Sequence, residues 1–100
     1  MDVAVRNSSC CALLTVSGEL DLATAPRLTE MLDWLCRQPH HQVTVDLHQV
    51  SFIDSTGLSV LIRARNALSD VSGRLVLSGP SRSVQRLLDV TGLANEFALQ

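Results

Sequence analysis

The sequence predicts an α/β fold: a mixed, mostly parallel sheet of four to five strands, an N-terminal antiparallel hairpin and about three helices. Three observations predict it. Short apolar stretches alternate along the chain with longer segments whose apolar residues recur at helical spacing. The first two apolar stretches are separated only by the turn cluster Asn7-Ser8-Ser9, which favours an antiparallel pair. Each later strand follows a helix, which implies crossovers and a parallel arrangement.

Val3 and Val5 alternate with polar neighbours and mark the first strand. Cys11 to Val16 forms the second, and Ser17-Gly18 is expected to end it. Ala25-Pro26-Arg27 opens a helix, because proline suits the first helical positions. Leu28, Met31, Leu32, Leu35 and Cys36 give it one apolar stripe, and Pro39 lies beyond its end. Val43, Val45 and Leu47 alternate with Thr44 and Asp46, the third strand. Ser55 or Thr56 is expected to open a second helix, with Leu58, Leu61, Ile62 and Leu68 inward and Val60, Ala64 and Ala67 widening that face. Gly73 is expected to close it in a left-handed conformation. Leu75-Val76-Leu77 is a fourth strand. Ser81 or Ser83 starts a third helix, with Val84, Leu87 and Leu88 inward and Gly92 at its end. Glu96 to Leu99 is expected to form a last short strand.

One hundred residues are expected to form one domain over 1–100, and the 46% apolar content supports a continuous core. The net charge of −2 gives no footprint for nucleic acid. All eight basic residues are arginine, which reads mainly as the codon bias of a GC-rich genome. No run of apolar residues is long enough to span a membrane, and Met1 to Asn7 lacks the regions of a signal peptide. A cytoplasmic protein, monomeric when free, is expected. Cys10, Cys11 and Cys36 are too few and too poorly placed for a disulfide framework. They read as small hydrophobes, with redox sensing a minority reading.

The segment Val50-Ser51-Phe52-Ile53-Asp54-Ser55-Thr56-Gly57-Leu58 carries the chemistry. An apolar strand runs into a polar turn and out into a helix. A helix N-terminus has unpaired N–H groups and the positive end of its macrodipole, so it tolerates a phosphate. A serine there is either a helix cap or a modification site. Open α/β sheets usually place their sites at such strand ends. Gly57 is expected to let a partner approach the backbone, so a side chain there should impair binding more than folding.

These residues resemble the STAS domain family, and within it the single-domain anti-sigma factor antagonists (anti-anti-sigma factors). Gly18-Glu19-Leu20-Asp21, the Val50–Leu58 segment and Val84-Gln85-Arg86-Leu87-Leu88-Asp89-Val90-Thr91-Gly92-Leu93 carry the resemblance, in order along nearly the whole chain. It implies a STAS fold and a binding module rather than an enzyme. The unphosphorylated form would bind an anti-sigma factor and free a sigma factor in a bacterial stress response. That anti-sigma factor would also be a serine kinase with a GHKL-type ATP site. It would phosphorylate Ser55, with Thr56 the second candidate, and a PP2C-type phosphatase would restore binding. The implied partner interface is Asp21, Asp54, Ser55, Thr56, Gly57 and Leu58, with no cofactor and no metal. Alternatives within the resemblance are a non-switching STAS subunit of a transport complex and a STAS small-ligand or nucleotide sensor. The chain ends right after the last predicted strand, so a C-terminal helix is not expected.

Other patterns point to less. Asp54-Ser55-Thr56-Gly57 has one residue too many for the aspartic protease Asp-Thr/Ser-Gly. Neither a Gly-x-Ser-x-Gly elbow nor a Gly-x-x-x-x-Gly-Lys loop occurs. His40, His41 and His48 read as surface residues, since a strand between them would hold His41 and His48 about 20 Å apart. Arg63, Arg65, Arg82 and Arg86 read as a solvated face, a subset of which could meet an acidic surface of a partner.

Overall fold

The computed structural model describes residues 1–7, 11–38 and 42–99. Strand β1 (Asp2–Asn7) pairs antiparallel with β2 (Cys11–Leu20). Helix α1 (Ala25–Arg37), β3 (Gln42–Ile53), α2 (Ser55–Ser69), β4 (Arg74–Ser78) and α3 (Arg82–Thr91) follow. A 3₁₀ turn at Ala94–Glu96 leads into the two-residue β5 (Ala98–Leu99). The sheet order is β1-β2-β3-β4-β5, parallel from β2 onward. Successive right-handed crossovers in this order set the helices on one face of the sheet. The expected mixed sheet with an N-terminal hairpin and three helices is therefore found.

Alternation decides which strand residues are buried. Leu14 and Val16 of β2 and Val43, Val45 and Leu47 of β3 are fully enclosed. Antiparallel register puts Val3 opposite Val16 and Val5 opposite Leu14, on the same face. Leu28, Leu32 and Leu35 of α1, Leu61 and Leu68 of α2, and Val84 and Leu88 of α3 close over them. Each side chain of this kind contributes about 1.5–3 kcal/mol on burial.

Several boundaries differ from the sequence expectation. β2 does not stop at Ser17-Gly18 but runs to Leu20, because register shifts at Thr15/Ser17 and Gly18/Glu19 absorb the irregularity. Gly18 takes φ +92° at that bulge. β3 likewise runs past Leu47 to Ile53. Helix α2 ends at Ser69, and Gly73 is not left-handed. Ser72 holds the positive φ of 61°, while the Gly73 N–H donates to the Leu68 carbonyl at 2.7 Å. Gly92 does close α3 as expected, at φ 73°. Ala67 is exposed and Ile62 only half-buried, so the buried stripe of α2 is narrower than its composition suggests. Glu96 belongs to the 3₁₀ turn and not to the last strand.

Arg65 does not belong to a solvated face. Its guanidinium donates to the Glu96 carbonyl at 2.8 Å, lies 3.4 Å from the Glu96 carboxylate and sits 5.4 Å above the Phe97 ring. It fastens the C-terminal segment to α2. His48 is exposed, as expected, and its ring hydrogen-bonds Asp46 at 2.7 Å. That bond holds the Asp46 carboxyl below the usual range. Cys10, Pro39, His40, His41 and the tip of the first hairpin lie outside the described residues.

Two expectations follow from the packing. A Cβ on Gly57 would sit 2.9 Å from both the Leu20 Cβ and the Leu20 carbonyl oxygen, and 3.1 Å from Ile53. The space a side chain would need is occupied by the protein's own strands, so the cost falls on folding and not chiefly on binding. Gly57→Ala should destabilise by about 1–3 kcal/mol in denaturant unfolding, and unchanged stability would refute this packing. Cys36 is half-buried and its thiol lies 3.9 Å from the Ala64 carbonyl. Burial, and then the Asp33 carboxylate, push its pKa above the ordinary thiol value. Its reactive thiolate therefore forms only at higher pH than in a free thiol. At pH 7.5 iodoacetamide should modify Cys36 more slowly than free cysteine, and equal rates by intact mass would show an open thiol.

Candidate functional site

The parallel register pairs Leu20 with Ile53, the last residues of β2 and β3. The next residues in each chain direction, Asp21 and Asp54, therefore leave the sheet side by side at its carboxyl end. The Asp54 N–H donates to the Leu20 carbonyl at 3.1 Å, which continues the ladder one step into the turn. Two acids far apart in sequence are brought together by this alignment.

Each acid has a local duty. Asp21 Oδ1 accepts from the Ala23 N–H at 3.0 Å and the Thr24 N–H at 3.1 Å, and its carbonyl accepts from Ala25 at 2.8 Å. The Thr24 hydroxyl donates to the Glu19 carbonyl at 2.8 Å and accepts from the Asp21 N–H at 3.0 Å. These bonds organise the approach to α1, whose cap Thr24 makes no side-chain cap bond of its own. Asp54 is the N-cap of α2, and its Oδ1 accepts from the Gly57 N–H at 3.0 Å.

The cap is thus the aspartate. Ser55, expected as a possible cap, is instead the first helical residue. Its side chain is exposed and its hydroxyl makes no hydrogen bond among the described residues. Its carbonyl accepts from the Ser59 hydroxyl at 2.8 Å, a bond inside the helix. Thr56 is half-buried. Gly57 and Leu58 are buried, Leu58 to 3% exposure. Asp21, Asp54, Ser55 and Thr56 therefore reach the surface together, and Gly57 and Leu58 support them from beneath.

The arrangement can receive an anion on Ser55 without disturbing the helix. The Ser55 and Thr56 N–H groups and the positive dipole end lie there, the Gly57 N–H being taken by Asp54, and the first turn of α2 carries no acidic residue after the cap. No group of three or more His, Cys, Asp or Glu side chains among the described residues is placed to hold a metal ion. No helix among them is long and apolar enough to cross a membrane.

Sequence reasoning missed an adjoining feature. A groove of about 340 Å³ lies between the end of β3 and α3, lined by Phe52, Ile53, Arg82, Arg86, Leu87 and Val90. Phe52 is 48% exposed and Val90 78%, unusual for such side chains on one small surface. The signal in the sequence was the apolar Val90 on the polar side of the third helix, three residues beyond Leu87.

The family model for the STAS domain matches residues 2–100. An anti-sigma-B factor antagonist of Staphylococcus epidermidis is 41% identical over 78 residues, which span 78% of this chain and 72% of its own. The crystal structure of an anti-sigma factor antagonist from Mycobacterium paratuberculosis superposes with a TM-score of 0.88 at 26% identity, covering 98% of this chain and 83% of that one. The Bacillus cell fate determinant SpoIIAA in its phosphorylated form gives a TM-score of 0.78 at 19% identity, covering 99% and 91%, a likeness of fold. The relatives are regulatory binding proteins and not enzymes. The chain belongs to the STAS domain family, among its anti-sigma factor antagonists.

Proposed function

We propose that this protein is a phosphorylation-switched anti-sigma factor antagonist of the bacterial cytoplasm. Its unphosphorylated form binds an anti-sigma factor that is also a serine kinase, and so frees a sigma factor. The kinase modifies Ser55 and ends the complex, and a PP2C-type phosphatase reverses the change. The interface is the carboxyl end of the sheet around Asp21, Asp54, Ser55 and Thr56, held up by Gly57 and Leu58. The observation that carries this reading is the exposed Ser55 hydroxyl with no bond of its own, while Asp54 does the capping. The names of the relatives support the partner class.

Phosphorylation acts at the interface in this reading. A phosphoserine carries about −1.5 to −2 charge at pH 7. In the free domain water and the dipole of α2 accommodate it. In the complex the same dianion is enclosed beside Asp21 and Asp54. An uncompensated buried charge costs about 3–5 kcal/mol, or roughly 10²- to 10³-fold or more in affinity.

Incubation with ATP and the purified candidate kinases of the same genome, followed by intact mass, tests the assignment. Ser55→Ala should accept no phosphate and still bind the kinase. Phosphorylation of Ser55→Ala at the wild-type rate would move the site to Thr56. The phosphoprotein and Ser55→Asp should both melt within about 2 °C of wild type, since a charge at the helix start is locally favourable. Both should lose partner affinity, the aspartate less because it has one charge and fewer acceptors. A phosphoprotein that loses many degrees of melting temperature would replace the surface switch with local unfolding.

A further inference from the structure

We infer that the groove between β3 and α3 is a second anchor for the partner, taking a segment with one or two apolar side chains flanked by carboxylates. The inference rests on the reading of this protein as a partner-binding switch, and it says what chemistry the partner presents.

The groove is built rather than incidental. The Ser81 hydroxyl caps α3 by accepting from the Val84 N–H at 3.4 Å. The Ser83 hydroxyl donates to the Ser51 carbonyl at 3.0 Å and pins the start of α3 to β3. Val84 and Leu88, one turn apart, are fully buried and fix the rotation of the helix. That rotation sets Arg82, Arg86 and Val90, spaced at i, i+4 and i+8, along one exposed edge. Phe52 forms the opposite wall.

The chemistry of the lining selects the occupant. Arg82 and Arg86 have no hydrogen bond or ion pair among the described residues. The acid nearest them on α3, Asp89, is engaged by the Gln85 amide at 3.0 Å. Two unengaged guanidinium groups beside an apolar trough fit a segment that supplies an apolar side chain and carboxylates. The trough is open and offers few buried polar groups, unlike a site that orients a small molecule. A chain of net charge −2 gives such a local basic patch no general pull on nucleic acid.

Position links the groove to the switch. Phe52 and Ile53, which line the groove, immediately precede Asp54 and Ser55, so its β3 wall leads into the turn that carries the hydroxyl. An acidic segment seated there lies next to the phosphate position. The dianion then repels carboxylates that the arginines had attracted. Loss of affinity thus needs no change in the fold of either protein.

The test uses the full chain and each purified GHKL-type anti-sigma kinase of the same genome as probe. The charge-reversal pair Arg82→Glu/Arg86→Glu should weaken binding by about 30-fold or more at low salt. Raising salt should weaken the wild type and narrow the gap between the two. The melting temperature should stay that of wild type, because neither guanidinium has an internal partner. A photo-crosslinking residue at Val90 should join to a partner peptide rich in Asp and Glu around an apolar residue. Wild-type affinity in the charge-reversal pair, a cross-link to a second copy of this chain, or one to a basic peptide would overturn the anchor. Loss of binding in Ser55→Asp alone would then leave the switch standing. A wild type that binds none of the kinases would overturn both.

Discussion

The site depends on one contact, the seating of the first turn of α2 on the joined ends of β2 and β3. Asp54 makes it twice over. Its backbone N–H extends the β2–β3 ladder to Leu20, and its carboxylate accepts the Gly57 N–H. Gly57 lies so close to Leu20 that only a hydrogen fits. The direction of α2, the height of its first turn and the side on which Ser55 emerges all follow from this. A cap bond is worth about 1 kcal/mol by itself. Here it also fixes position, because the capped turn is wedged against a strand end.

The same economy operates at Asp21. Both acids beside Ser55 serve the backbone through Oδ1, so neither carboxylate was placed there for charge alone. Their charge is nonetheless present at the surface, and a phosphate added to Ser55 meets it. Structural capping and electrostatic sensitivity thus come from the same two side chains. Replacing either one to probe charge also loosens a turn, and the amide isostere Asn is the cleaner substitution.

Much of this was legible in the sequence. The crossovers, the apolar stripes and the strand-to-helix turn at Asp54-Ser55 stand in the pattern of residues 25–93. The misses share a cause. A period of two does not describe a bulged strand, so Gly18 looked like an end, and Val50 and Ile53, three apart, did not look like a continuation of β3. In the run Asp54-Ser55-Thr56 each residue can cap a helix. The choice is made by the ladder that ends at Ile53, which is a tertiary fact. The left-handed residue after α2 is Ser72 and not the adjacent Gly73, because the Gly73 N–H must reach back to Leu68. Arg65 reads as solvated because its partner Glu96, 31 residues on, and the adjoining Phe97 are invisible to local spacing. The resemblance to relatives pointed to the surface around Ser55, yet only geometry separates Leu58, which holds the turn from below, from the residues that face outward.

A hydroxyl without structural duty also has a consequence for time. Buried or bonded groups are modified only when the surrounding segment opens, so their chemistry is paced by local unfolding. Ser55 stands outside that constraint, because the cap bond belongs to its neighbour. A reagent or enzyme that acted on this hydroxyl would be paced by its encounter with the surface and not by motions of the domain. The fold can then drift in stability through many substitutions while the tempo of any reaction at Ser55 stays the same.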